Sequence, residues 1–128
     1  MDSKAKNDSG CGCSPAPKAI YACSGASDVG EISDRAARKL TREGLGNMAC
    51  IAGIGGHVGA SLDVANVADA ILVIDGCSQN CAKKTMEHAG YHDFLYIGVY
   101  DLGLPKGKSP ATDENIERVA QKGKELLS

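Results

Sequence analysis

The chain predicts an α/β fold: an open, mostly parallel four-stranded sheet with helices on both faces. Three observations point there. Short apolar runs alternate with longer amphipathic stretches, in the order β-α-β-α-β-α-β-α. The run ILVI at 71–74 is apolar without alternation, as in a parallel strand covered on both sides. Each apolar run also gives way to glycines and small polar residues, the punctuation of strand exits.

Taken in order, residues 1–18 are polar and include GCGCSPAP, the composition of a flexible tail. Residues 19–128 are then one α/β domain. AIYAC (19–23) is a short buried strand that stops at SGASDVG. A helix begins near Asp28 and runs to about Leu40, with Ile32, Ala36, Ala37 and Leu40 on its inner face. MACIAGI (48–54) is the second strand, GIGGHVG the turn after it, and ASLDVANVA a short helix. DAILVIDGC (69–77) is the third strand and SQNCAKKTMEHA (78–89) the third helix. FLYIGVY (94–100) is the fourth strand, and a last helix spans roughly 113–127 with Ile116, Val119, Ala120 and Leu126 in its apolar stripe. Such an architecture is Rossmann-like or flavodoxin-like. A 2-1-3-4 strand order is expected, because it sets the first three strand exits side by side, where ligands of open α/β sheets bind.

Composition narrows the function classes. The chain has 128 residues, 43% hydrophobic and 23% charged, enough for one domain with a real core. Its net charge of -2 and its lack of a basic stripe or aromatic ladder speak against nucleic-acid binding. No segment is apolar enough to cross a bilayer. The polar start MDSKAKNDSG holds no apolar signal core, so a cytoplasmic location is expected. In that compartment cysteines serve metal binding or redox chemistry more often than structural disulfides.

Four of the six cysteines, Cys23, Cys50, Cys77 and Cys81, sit where apolar runs end. Cys77 and Cys81 form C-x3-C across a helix start, a spacing that is weak alone but gains weight from Cys23 and Cys50. Four thiolates suit tetrahedral zinc, and three with an open position suit transfer or catalysis. An iron–sulfur cluster uses the same donors. The residues leave a second class open, a redox or thiol-nucleophile enzyme in which Cys23 or Cys77 attacks and Cys81 resolves. Asp75 is a candidate support or catalytic group beside Cys77. Cys11 and Cys13 form a separate C-x-C in the tail.

Around the thiols, Ser24, Gly25 and Ser27 form a loop before a helix, a candidate cradle for a small anionic ligand, and Gly55 and Gly56 would border the same crevice. A plain helix cap by Ser27 or Asp28 competes with that reading. The loop lacks the arginine a thiol phosphatase needs, since position 29 is Val, and GIGGHVG lacks the Lys and Ser/Thr of a P-loop. A metal donor or acceptor protein, or a second copy of the chain, is a further candidate partner.

The segments CSGASDVG, CIAGIGGHVG and IDGCSQNCAKK resemble the DGC-domain family, zinc-binding proteins named for an Asp-Gly-Cys motif, here Asp75, Gly76 and Cys77. The resemblance runs from about Tyr21 to Tyr100 and excludes the CGC tail. It implies zinc held by Cys23, Cys50, Cys77 and Cys81; together with the thiol pattern, this makes metal handling or sensing the expected role. It implies no particular reaction.

Overall fold

The computed structural model describes residues 17–128. Strand β1 (Lys18–Ala22) lies in the middle of the sheet, and its alternation feeds two cores. Ile20 and Ala22 point to one face, Ala19 and Tyr21 to the other, and all four are buried. Beside it run β2 (Asn47–Met48) on one flank and β3 (Ala70–Asp75) on the other, with β4 (Leu95–Gly98) outermost. The order is β2-β1-β3-β4 and every pair is parallel, as the sequence led us to expect. Register is set by pairs such as Ile20 with Met48, Ala22 with Ile74 and Asp75 with Gly98.

Helices α1 (Asp28–Arg42) and α5 (Asp113–Leu127) cover the first face. Ser27 caps α1 by accepting from the Gly30 N–H at 3.0 Å, and Thr112 caps α5 through the Asn115 N–H at 3.2 Å. The two helices touch closely where Gly123 meets Leu40; a β-carbon at 123 would lie 2.6 Å from Leu40 Cδ1. The opposite face is covered by α2 (Ile51–Gly55), α3 (Gly59–Val67) and α4 (Cys81–His88). Three layers result, with the side chains of ILVI shared between both cores.

Two elements differ from expectation. MACIAGI is not one strand: β2 ends at Met48, Ala49 adds one ladder bond to the Ile20 carbonyl at 2.8 Å, and a helical turn begins at Ile51. Ile54 is buried in the second core and Ile51, three residues before it, packs partly buried against the same core, which helix spacing allows and strand alternation does not. The run FLYIGVY likewise leaves the sheet at Gly98 and tightens into a 3-10 turn, Val99–Leu102.

Candidate metal and thiol site

The sheet delivers the thiols. Cys23 follows β1 directly, and its N–H continues the ladder to the Ile74 carbonyl at 2.9 Å. Cys50 lies two residues beyond the Met48–Ile20 pair and occupies the cap position of α2. Cys77 lies two residues beyond Asp75. Adjacent strands are about 4.8 Å apart, so three thiols leave one edge of the sheet from neighbouring strands. Cys81 is the first residue of α4. All four are free; Cys23 and Cys77 are half-buried, Cys50 and Cys81 exposed.

Glycines let these exits crowd together. A β-carbon on Gly76 would lie 2.7 Å from the Gly30 nitrogen, and one on Gly30 would lie 2.8 Å from the Gly25 carbonyl oxygen. The Asp75-Gly76-Cys77 turn and the loop after Cys23 are thus both pressed onto the first turn of α1. Gly25 itself faces Cys23, with 3.5 Å between the Sγ and a β-carbon built there.

Asp75 does structural work in this arrangement. It is buried, and its Oδ1 accepts from the Ala82 N–H at 2.7 Å while Oδ2 accepts from the Lys83 N–H at 2.9 Å. The carboxylate thereby satisfies the free amides at the start of α4. Tyr96 donates its hydroxyl to Asp75 Oδ2 at 2.9 Å and also lies 2.8 Å from Asn80 Oδ1, which Tyr100 approaches at 3.0 Å. Burial first, then the Asp75 hydrogen bond and charge, hold the Tyr96 phenol above its ordinary pKa. The Lys83 ammonium stands 5.3 Å over the Tyr96 ring, within cation–π range.

Asn80 links this network to the thiols. Its backbone is left-handed, φ 57°, a conformation Asn tolerates better than most residues. It separates the turn at Cys77 from the helix that begins at Cys81, and its N–H donates to the Cys77 carbonyl at 3.3 Å. From the sequence alone Asn80 does not stand out, and Tyr96 and Tyr100 fall only within the fourth-strand run, as sheet or interface residues. An Asn directly before a helical pattern was the available clue.

The other proposed residues have assignable contacts. The Ser24 hydroxyl donates to Asp34 Oδ1 at 2.8 Å, and Asp34 Oδ2 accepts from Arg38 at 2.8 Å. Partial burial works against the Asp34 carboxylate, yet the hydrogen bonds from Arg38 and Ser24 outweigh it and keep its pKa below the ordinary value. The Ser27 oxygen is engaged with the Gly30 N–H, as a helix cap. Gly55 lies toward α4, where an added β-carbon would be 3.4 Å from Thr85, and Gly56 closes α2. Cys11 and Cys13 lie outside the described residues.

Beneath Cys50 is a polar group that sequence reasoning missed. Tyr21 is wholly buried and its hydroxyl has no hydrogen-bond partner among the described residues. Burial, reinforced by the nearby Tyr91 phenol and Cys50 thiol, pushes its pKa up to about 12.

The donors suit zinc chemically, since thiolates are its preferred ligands. Their present spacing does not close around an ion. Among the described residues, no group of three or more His, Cys, Asp or Glu side chains is gathered closely enough to hold a metal. No helix among those residues is long and apolar enough to cross a membrane.

Comparison with known proteins agrees with this architecture of motifs. The family described as DGC domain matches residues 19–122. The chain is 36% identical over 87 residues to a Pseudomonas aeruginosa protein named anaerobic and virulence modulator AnvM. That match covers 68% of this chain and 66% of the relative, so the chain spans just under two thirds of the other protein's length. No solved structure shows significant similarity to the chain. The chain belongs to the DGC-domain family.

Proposed function

From that membership and the strand-end thiols, we propose that this chain is a small regulatory protein whose Cys23, Cys50, Cys77 and Cys81 take up zinc reversibly. The observation that carries the reading is the exit of three thiols from adjacent strands, with a fourth opening the helix after them. Bound zinc would supply a cross-link between those exits. The protein's own residues supply the frame: Asp75 and Asn80 hold the Cys77–Cys81 turn, and Gly76 and Gly25 seat it beside the loop after Cys23.

Thiols that leave adjacent strands without being gathered around an ion suit a responsive role better than a permanent structural one. The relative's name, a modulator, supports a regulatory setting. The chain's small size and cytoplasmic setting belong to the same proposal.

Elemental analysis of anaerobically purified full-length protein, with chelator competition on single Cys→Ser variants, tests it. Near-stoichiometric zinc is expected, with weaker retention in each of the four variants. Protein that retains no zinc, or whose zinc is indifferent to all four substitutions, would sink the proposal.

A second reading rests on a separate observation. Cys77 and Cys81 are both free and joined by the tight turn that Asn80 closes. In this reading they form a reversible disulfide, with Cys81 resolving an adduct on Cys77. Thiol counting after mild oxidation distinguishes it: loss of two thiols, abolished in Cys81→Ser, is its signature.

A further inference from the structure

Beside the thiol edge an open cleft of about 650 Å³ runs between α1 and the junction of β2 with α2. Its volume is that of a small-molecule site. Its wall on α1 carries Asp34, Arg38 and Arg42, and its other wall carries Met48, Cys50 and Ile51. Thr41 fixes the two walls together, accepting from the Met48 N–H at 2.9 Å while it donates to the Ala37 carbonyl.

Among the described residues the charges in the lining do not balance. Two guanidinium groups face one carboxylate, and that carboxylate is committed to Arg38 and Ser24. Arg38 and Arg42 are four apart, on the same face of α1. An anionic group on a ligand therefore has a partner at Arg42. The aliphatic lining beside it, Met48 and Ile51, suits a methylene body, and Cys50, an exposed and free cysteine, lines the same space.

We propose that this cleft binds carboxylate-bearing organic disulfides of low molecular weight and that Cys50 becomes S-thiolated there. The Cys50 sulfur attacks one sulfur of the disulfide RS–SR, so a Cys50–S–S–R bond forms and the original S–S bond breaks. The departing RS⁻ takes the electron pair and receives the proton released from the Cys50 thiol. Cys50 is oxidised, the departing sulfur is reduced, and one RSH is produced per adduct. Cys81 is equally exposed but does not line the cleft, and Cys23 and Cys77 are half-buried. This activity goes beyond zinc uptake and does not depend on it.

The test uses the reduced, chelator-treated full-length chain with three probes: glutathione disulfide, the neutral hydroxyethyl disulfide and the cationic cystamine. Adduct mass and peptide mapping report rate and position. The first adduct is expected on Cys50. Each probe's rate is divided by its rate with a free model thiol, which removes leaving-group differences. On that scale glutathione disulfide should react about fivefold faster than the neutral probe, the scale of one charge contact in water. Cystamine should be slower than both. Arg42→Gln should remove the advantage without slowing the neutral probe, and raising the salt should shrink it.

Equal rates for the three probes, a first adduct on Cys81, or an Arg42→Gln variant that keeps its selectivity would each overturn the proposal. Zinc retention in Arg42→Gln should match the parent chain. A chain that binds no zinc but thiolates selectively at Cys50 would refute the metal reading alone.

Discussion

Gly76 and Val29 meet backbone to backbone: a β-carbon on residue 76 would stand 2.7 Å from the Val29 carbonyl carbon. No side chain yields there, so the contact requires glycine. It seats the turn carrying Cys77 on the first turn of α1, next to the loop that follows Cys23.

Replacing Gly76 by Ala is therefore expected to destabilise the fold by about 1–3 kcal/mol, the usual scale for overpacking a tight interior. Urea denaturation measures it. Because the shift also parts Cys77 from the Cys23 loop, zinc retention should fall with it. A Gly76→Ala protein of unchanged stability would show that the turn can move away freely.

Asn80 offers a separable pair of effects. Asn80→Gly keeps the left-handed backbone and loses the contacts with Tyr96 and Tyr100. Asn80→Ala loses the same contacts and adds the strain of a left-handed residue with a β-carbon, about 1–2 kcal/mol. Thermal melting should thus rank the parent above Gly and Gly above Ala. Equal melting of the two variants would mean that the turn relaxes out of the left-handed region.

Alkaline stability should report Tyr21. Its folded pKa is about 12, against about 10 for an exposed tyrosine. A raised pKa means that the folded state holds the proton more tightly. The associated stability is complete below about pH 10 and is lost as pH rises through about 12. Tyr21→Phe should flatten that fall in denaturation experiments. At neutral pH it should cost nothing or stabilise slightly, since the hydroxyl removed has no partner among the described residues.

Acid stability should report Asp28. The N–H groups of Gly107 and Ser109, followed by that of Val29, lower its pKa. The stabilisation is present above about pH 4, the unfolded value, and fades as pH falls through the depressed folded one. Asp28→Asn should weaken that acid dependence and loosen the loop at 107–109, read as faster amide exchange there.

What reads directly from the chain is local or periodic. The unbroken ILVI run announced a central strand, and the spacing of Ile116, Val119 and Ala120 announced α5, because a strand buried on both faces and a one-sided helix leave unmistakable patterns. The exits of β1 and β3 were legible too, and with them the places of Cys23 and Cys77. In contrast, β2 and β4 end earlier than their apolar runs, and Cys50 caps a helical turn rather than lying within a strand. The run around Ile51 and Ile54 reads as a strand and folds as a helical turn, since a short apolar run fits either. Only packing decides it, with Ile54 buried and Ile51 partly buried against the same core.

Other features exist only after folding. Nothing local tells that Asp75 reaches Ala82 and Lys83, that Tyr96 and Tyr100 meet at Asn80, or that Tyr21 ends without a partner. The same holds for the cleft, whose two walls come from α1 and from a junction beyond its far end. These relationships join residues on different elements, and their energies depend on burial and on close backbone approach. Both are properties of the packed layers, and neither has a period that a single strand or helix could display.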